Sequence, residues 1–185
     1  MNAAGSADQI LPPQQTSVTG AVGRRGLPAL LERIPHSLIA LLGRFSIAAT
    51  FWLSGQTKVE GFAIDIIHGT YSLGVPRLSE SAIELFRTEY ALPLLPPVLA
   101  AQMAATAEHV FPVLLLLGLG TRFAALALLA MTLVIQTFVY PDAYATHGVW
   151  ATVLIYLIAR GAGVFSLDQL IARRGRHDAA ISGMR

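Results

Sequence analysis

The 185-residue sequence contains no cysteine and few charged residues. Without a thiol the chain cannot form disulfides, bind a metal through thiolates or carry out dithiol exchange, so a redox role requires a bound cofactor or a partner. Charged side chains make up 13% of the residues, whereas 54% are hydrophobic. A soluble domain of this length needs a more charged surface, and the composition therefore predicts a protein of the lipid bilayer.

The sequence also has no concentrated basic patch. Its formal net charge is +2, and its arginines lie beside apolar runs instead of forming one stripe. Nucleic-acid binding requires Lys and Arg clustered on one face. We therefore expect no nucleic-acid partner, and we expect the lipid bilayer to be the main surrounding of the chain.

Four apolar stretches approach the roughly 20 residues that a helix needs to cross a membrane. They cover residues 37–54, 97–119, 122–140 and 147–165. Short connections make the last three stretches successive antiparallel neighbours. The sequence thus predicts an all-α fold, an integral membrane four-helix bundle.

Three segments outside these stretches are more polar. Residues 1–35 are rich in Gly, Pro, Ser, Thr and Gln, which predicts a disordered cytoplasmic N-terminal tail, and residues 172–185 are predicted to be a basic cytoplasmic C-terminal tail. The four-helix domain is expected to cover residues 36–171. Residues 56–96, between the first two spans, are too polar to cross the membrane and form an extracytoplasmic loop.

This loop contains the signature of a short helix. Ser81 and Glu84 match a capping box, which predicts a helix from there to about Tyr90. Ile83 and Phe86 share one stripe of it with Tyr90, as expected of a helix that lies at the membrane interface.

Basic residues next to the spans predict the orientation. With the N-terminus inside, eight arginines are cytoplasmic and three basic residues are external, and positive residues favour the cytoplasmic side. We therefore expect a multi-pass protein of the bacterial inner membrane with both termini in the cytoplasm. The eight are Arg24, Arg25, Arg33, Arg122, Arg173, Arg174, Arg176 and Arg185, and the three are Lys58, Arg77 and Arg87.

Two opposite charges lie inside predicted spans, where a charged side chain costs about 2.5 to 3.5 kcal/mol at the bilayer centre. Arg44 is in the first span and Glu108 in the second, at similar depth in antiparallel neighbours. We predict that they contact each other. Two interpretations stay open: an ion pair that only fixes the helix register, and a polar pocket that receives a ligand.

Further polar side chains are candidates for lining such a pocket. Gln102 and His109 are seven residues apart and share a helix face, whereas Gln136 and His147 lie toward the external side, near Lys58. The histidine spacing matches no metal-binding signature, so no metal site is predicted. Glu108 and His109 are the catalytic candidates, as proton carriers. The ligand-binding candidates are Arg44, Lys58, Gln102, Glu108, His109, Gln136 and His147.

Five short motifs follow one another along residues 37–171, and together they resemble the DoxX family. Position 162 departs from the pattern, because it is alanine where many members have proline. The motifs are Arg44, residues 54–58 (SGQTK), 107–109 (AEH), 117–122 (LGLGTR) and 161–168 (GAGVFSLD).

Three further stretches are similar to one branch of that family. Members of the branch resemble DoxX proteins encoded beside enzymes that build modified copper-binding peptides. The stretches are residues 89–93 (EYALP), 107–112 (AEHVFP) and 131–141 (MTLVIQTFVYP).

The resemblance implies a fold more firmly than a reaction. The family includes the small subunit of a thiosulfate:quinone oxidoreductase and membrane partners of redox or detoxification complexes. It therefore implies an accessory or quinone-interacting subunit of a redox-linked membrane system, which is enzymatic only as part of a quinone-linked oxidoreductase. The quinone would enter between helices, and Glu108 or His109 would exchange its protons.

Two alternatives remain beside this reading. One is a non-enzymatic membrane partner in the handling of a copper-binding peptide or of copper stress, and the other is a small transporter. The expected partners are membrane or periplasmic redox or peptide-maturation proteins. No particular cofactor follows from the sequence beyond the quinone.

Overall fold

A computed structural model describes residues 33–66 and 69–182, and only the last three residues of the predicted N-terminal tail, 1–35, fall inside this range. The described chain is mostly helical. Its elements in order are α1 (His36–Gln56), β1 (Val59–Asp65), β2 (Thr70–Leu78), α2 (Glu80–Thr88), α3 (Pro97–Leu117), α4 (Thr121–Val134), α5 (Tyr144–Arg160) and α6 (Leu167–Ser182).

Three helices in the described residues are long and apolar enough to cross a membrane. They are His36–Gln56, Pro97–Leu117 and Thr121–Val139, the last of which is α4 continued by a π-helical turn, Ile135–Val139. The fourth predicted stretch forms α5, which has 17 residues. The prediction of a mostly helical membrane protein is confirmed, and a fourth crossing stays a prediction.

Small side chains hold the long helices together. Without a hydrophobic effect between helices in lipid, close backbone approach and van der Waals contact drive their association. α1 packs against α3 and α5, and α4 packs against α5 and α3. The core residues between them combine alanines with larger side chains: Ala40, Ile47, Ala48, Phe51, Leu115, Ala124, Ala125, Leu128, Leu154 and Leu157.

The loop between α1 and α3 contains a β-hairpin, so the purely α-helical prediction is wrong in this segment. β1 and β2 pair antiparallel, from Val59 opposite Leu78 to Asp65 opposite Thr70, with an irregularity after Glu60. Both strands are rich in β-branched and aromatic residues, which are common in strands. The hairpin signal was therefore present in the sequence.

Side chains of α1 complete the hydrogen bonding of β1 at Ile64. The Trp52 Nε1–H donates to the Ile64 carbonyl at 3.0 Å, and the Ile64 N–H donates to Gln56 Oε1 at 2.7 Å. Backbone groups that are not paired within a sheet need partners of this kind when they are removed from water. The hairpin is thus fastened to the end of α1 by two side chains.

A short helix follows the hairpin, but the predicted capping box is wrong. The N-cap of α2 is Ser79, whose Oγ accepts from the Ala82 N–H at 3.2 Å, so the helix begins two residues before the predicted start. Ser81 lies inside α2, and Glu84 pairs with Arg87 at 2.6 Å on the exposed side. Ser79 is the better cap because the apolar stripe of α2 begins at Ala82.

The buried face of α2 rests on the alanine-rich start of α3. Phe86 is 4% exposed and packs with Ala100 and Ala101. The small alanine side chains leave room for the aromatic ring, so α2 covers one side of the helix bundle. Beyond α5, helix α6 runs across the predicted boundary between the four-helix domain, 36–171, and the C-terminal tail, 172–185.

Candidate functional site

Lys58 and Glu108 form a buried ion pair at the end of α1. Lys58 Nζ lies 2.7 Å from Glu108 Oε2, and the two side chains are 5% and 4% exposed. Lys58 Nζ also donates to the carbonyl and to Oγ of Ser54, at 3.1 and 3.0 Å. Ser54 Oγ in turn donates to Glu108 Oε1 at 3.1 Å. Each of the three ammonium donors therefore has a partner.

The predicted contact between Arg44 and Glu108 is wrong. Helices α1 and α3 are antiparallel in a register that places Gly55 directly beside Glu108. Arg44 lies 11 residues before Gly55, which at 1.5 Å per residue is about 16 Å away along the helix axis. The depth of each charge follows only approximately from the sequence, and a long loop separates the two helices, so nothing local sets their register.

Arg44 instead holds the opposite end of the bundle together. It is 1% exposed, and its guanidinium donates to the carbonyls of Leu115 at 3.2 Å, Leu116 at 3.5 Å and Phe165 at 2.5 Å. The first two are among the last carbonyls of α3, which have no partner within the helix. Arg44 thus links α1, the end of α3 and the segment before α6, and it does not belong to the polar group around Lys58 and Glu108.

A cavity of about 370 Å³ lies beside the ion pair. Its walls come from α1, α2, α3, α5 and the end of α4, and most of the lining side chains are apolar. Its polar lining residues are Thr50, Ser54, Lys58, Tyr90, Glu108, Tyr140 and His147. Ligand sites in proteins combine an apolar wall with a few convergent polar groups, and this cavity has that character.

The structure joins two of the predicted site residues, Gln136 and His147, directly. Gln136 Nε2 donates to the Pro141 carbonyl at 2.6 Å, so its amide oxygen is left to accept from His147 Nδ1 at 2.7 Å. His147, which is 5% exposed, therefore carries its proton on Nδ1 when neutral. The π-helical turn Ile135–Val139 contains Gln136, and such turns are frequent at functional sites.

His109 faces away from the cavity. Its Nδ1 donates to the Ala105 carbonyl at 2.7 Å, and its Nε2 accepts from Gln56 Nε2 at 2.8 Å. Because Gln56 Oε1 already accepts from Ile64, the direction of the bond to His109 is fixed. Both ring nitrogens are occupied, so His109 connects α1, α3 and the hairpin.

Gln102 and His109 share a face, as their spacing predicts. They line a separate groove under the hairpin together with Trp52 and Phe62. The seven candidate ligand residues therefore fall into three places. Lys58, Glu108 and His147 line the cavity with Gln136 behind them; Gln102 and His109 line the groove; Arg44 lies at the other end.

Ser54 and Tyr140 line the cavity but are not among the site residues predicted from the sequence. Ser54 bridges Lys58 and Glu108, and the Tyr140 hydroxyl donates to the Glu89 carboxylate at the rim. The bond to Glu89, together with burial, raises the pKa of Tyr140, which therefore stays protonated. Both residues lie in stretches that resemble the family, residues 54–58 and 131–141, and this position was the available signal.

Among the described residues, no group of three or more His, Asp or Glu side chains is close enough together to hold a metal ion. The buried charges instead satisfy each other. The candidate site is thus a largely apolar cavity with one ion pair and one oriented histidine in its wall.

The fold and the site define a small membrane protein with at least three helices able to span the bilayer and a buried ion pair beside an apolar cavity. Residues 39–141 match the family model DoxX. This is more than half of the chain, and the protein belongs to the DoxX family.

One similar protein is an uncharacterized protein of Haemophilus influenzae. It is 32% identical over 95 residues, which cover 47% of this chain and 63% of the relative. The match therefore spans less than two thirds of that protein's length. No solved structure matches the chain.

Proposed function

We propose that the cavity beside Lys58 and Glu108 binds the head group of a quinone, and that the protein is an accessory subunit of a redox-linked system in the bacterial inner membrane. The observation that carries this proposal is a fully buried ion pair in the wall of an otherwise apolar cavity. A quinone combines an apolar ring and tail with two carbonyl oxygens, which accept hydrogen bonds. The cavity offers the matching donors and surface.

Reduction of a quinone to a quinol consumes two electrons and two protons. The chain has no cysteine, so a partner or its cofactor supplies the electrons. Lys58 exchanges its bond to Ser54 Oγ for one to a quinone oxygen, and its charge stabilises the negative charge that develops there on reduction. Glu108 is the proton carrier. Arg44 and His109, two of the candidates from the sequence, do not line this cavity and have no role in the proposal.

Tryptophan fluorescence tests the proposal, because the chain has two tryptophans and only one of them lines the cavity. Trp150 lines the cavity and Trp52 lines the groove. We expect a short-chain quinone to quench Trp150 saturably in the Trp52→Phe variant. In the matched Trp150→Phe variant, we expect the quenching of Trp52 not to saturate.

Removal of the Lys58 charge then distinguishes binding of the quinone in the cavity from its unspecific partition into the detergent micelle. Lys58→Met in the Trp52→Phe background should raise the quinone Kd about tenfold or more, the loss expected for a hydrogen bond to a charged group. Saturable quenching that is equal in this variant and its parent would overturn the proposal, as would quenching that does not saturate in either.

The proposed topology has four crossings, with both termini in the cytoplasm. α5 would span about 26 Å at 1.5 Å per residue, and Leu154 and Leu157 on it are fully buried in the bundle. The excess of arginines on one side supports the orientation. The hairpin, α2 and the ion pair then face the periplasm, with α2 at the membrane interface.

Copper handling is a second candidate, favoured by the branch resemblance of residues 89–93 and 131–141. Those stretches supply Glu89 and Tyr140 at the cavity rim. In this alternative the rim would contact a peptide or a maturation partner, without turnover. Loss of copper tolerance in a deletion strain, restored by the wild-type gene, would support it; normal tolerance would count against it. No residue arrangement described above favours transport.

A further inference from the structure

A second, separate pocket lies at the end of the bundle opposite the ion pair. It has a volume of about 620 Å³ and forms where α1 and α4 begin and α5 ends. Its lining includes Thr121 and Arg122 from α4, Arg160 from α5, and Val164 from the segment before α6. Three helix ends meet here, so this pocket lies at the membrane surface if the helices cross the bilayer.

The charge in this pocket is not balanced within the described residues. Arg122 makes one long hydrogen bond there, from Nη2 to the Ala159 carbonyl at 3.5 Å, and no carboxylate of the described part lies within ion-pair distance of Arg122 or Arg160. Asp168 also lines the pocket, but its oxygens accept from the N–H groups of Gly120 and Thr121 at 2.8 and 3.0 Å. Two guanidinium groups therefore remain for an anion.

Thr121 adds an independent observation. The residue is completely buried, and its Oγ1 has no hydrogen-bond partner in the described part of the chain. A buried hydroxyl without a partner is costly, and native proteins rarely leave one. Thr121 belongs to the pocket wall at the start of α4, so this unpartnered hydroxyl lies in the same wall as Arg122.

Apolar side chains surround the same pocket. Phe123 is 66% exposed and Val164 is 48% exposed, and both are in its lining. Phe123 lies on a spanning helix one residue past Arg122, toward the hydrocarbon. A small soluble anion would gain nothing from these apolar side chains. A phospholipid, in contrast, places its phosphate beside basic side chains and its acyl chains along apolar ones.

We propose that this pocket binds the head group of an anionic phospholipid, with Arg122 and Arg160 contacting the phosphate and with Phe123 and Val164 contacting the acyl chains. The site shares no lining residue with the quinone cavity, from which seven positions of α4, about 10 Å along the helix axis, separate it between Phe123 and Ala130, and it does not depend on that function. It fixes the ends of α1, α4 and α5 at the level of the lipid head groups.

Lipid binding to the purified full-length protein tests this inference. Native mass spectrometry in detergent would compare dioleoyl phosphatidylglycerol with dioleoyl phosphatidylcholine, and glycerol 3-phosphate would serve as a soluble competitor. We expect phosphatidylglycerol to bind at least tenfold more tightly, and we expect Arg122→Gln and Arg160→Gln each to weaken it about fivefold. Arg87→Gln, at the other end of the protein, is the matched control and should change nothing.

Three results would overturn the inference. They are equal affinity for the two lipids, an unchanged phosphatidylglycerol affinity in both arginine variants, and displacement of the lipid by glycerol 3-phosphate at equal concentration. The last result would assign the pocket to soluble phosphate compounds. If a glutamine variant does not fold, Arg122→Lys and Arg160→Lys replace it, and they should keep the preference for the anionic lipid because they keep the charge.

Discussion

Lys58 lies in the protein interior, where Glu108 and Ser54 supply partners for its ammonium group. A buried ion pair of this kind adds little net stability, because desolvation offsets most of the attraction between the charges. Removal of one partner lowers the free energy of unfolding, because it leaves the other charge buried without a partner. The pair is therefore sensitive to single substitutions and tolerant of a double one.

Lys58→Met should lower the free energy of unfolding by about 3 to 5 kcal/mol, because it leaves the Glu108 carboxylate buried and alone. The double variant Lys58→Met with Glu108→Gln should recover most of that loss. Denaturant unfolding in detergent micelles measures both. The exposed pair of Glu84 and Arg87 is the control, and Arg87→Gln should cost at most about 1 kcal/mol. Additive losses in the double variant would contradict the ion pair.

Gln136 offers a second test at the same scale. Gln136→Leu should lower stability by about 1 to 3 kcal/mol, because it leaves the buried Nδ1–H of His147 without an acceptor. Gln102→Leu is the matched control, since Gln102 is exposed in the groove, and it should stay within about 0.5 kcal/mol. Equal effects of the two substitutions would show that His147 is oriented by something other than Gln136.

At the scale of the helices and the hairpin, the connection between α3 and α4 contains two glycines with a left-handed backbone conformation. Gly118 has a φ of +65°, and a Cβ there would lie 2.2 Å from Arg44 Nη1 and 2.5 Å from Ser166 Cβ. Gly120 has a φ of +56°, but a Cβ there would meet nothing within 4 Å. The two glycines share the strained backbone and differ in the space around them.

This difference predicts unequal costs of substitution by alanine. Gly120→Ala should lose about 1 to 2 kcal/mol, the cost of a left-handed backbone with a side chain. Gly118→Ala should lose about 1 to 3 kcal/mol more, because the methyl group displaces Arg44 and Ser166 as overpacking does. Thermal unfolding in detergent compares them. If the two variants were equally stable, Arg44 would not be held against this connection as described.

The helices could be predicted from the sequence because each depends on a continuous run of its own residues. The partner of Glu108 could not, because it follows from the register between α1 and α3, which nothing in either helix encodes alone. The partners of Arg44 could not be predicted either, because its acceptors are backbone carbonyls, which every residue has. The hairpin differs, because the polar composition of residues 56–96 predicts a loop even though β-branched and aromatic residues lie within it.

Considered as a whole molecule, the protein has two chemically different ends. The ion pair, the cavity and the hairpin lie at one end, and Arg44, Asp168 and the basic pocket lie at the other. An even number of crossings would place the hairpin and α6 on opposite sides of the membrane, and an odd number would place them on the same side. The route of the chain through the membrane therefore decides which compartment each end meets.

The lack of cysteine makes this easy to measure, because a single introduced thiol has no background. Ser72→Cys places the thiol on the exposed hairpin, and Gly175→Cys places it on α6, where an added Cβ meets nothing within 4 Å. With an impermeant maleimide on intact spheroplasts, we expect the first to react and the second to react only after permeabilisation. Reaction of both without permeabilisation would argue for three crossings.

The link between Gln56, His109 and Ile64 has a consequence for biosynthesis. Gln56 and His109 are 53 residues apart, so α1 and the hairpin are synthesised before α3. Until then Gln56 has no histidine to meet, and Lys58 has no carboxylate. The nascent chain must therefore keep a lysine in water at the membrane surface and draw it inward only when the second spanning helix arrives. Closing of the bundle at this end is thus a late step of insertion, timed by translation itself.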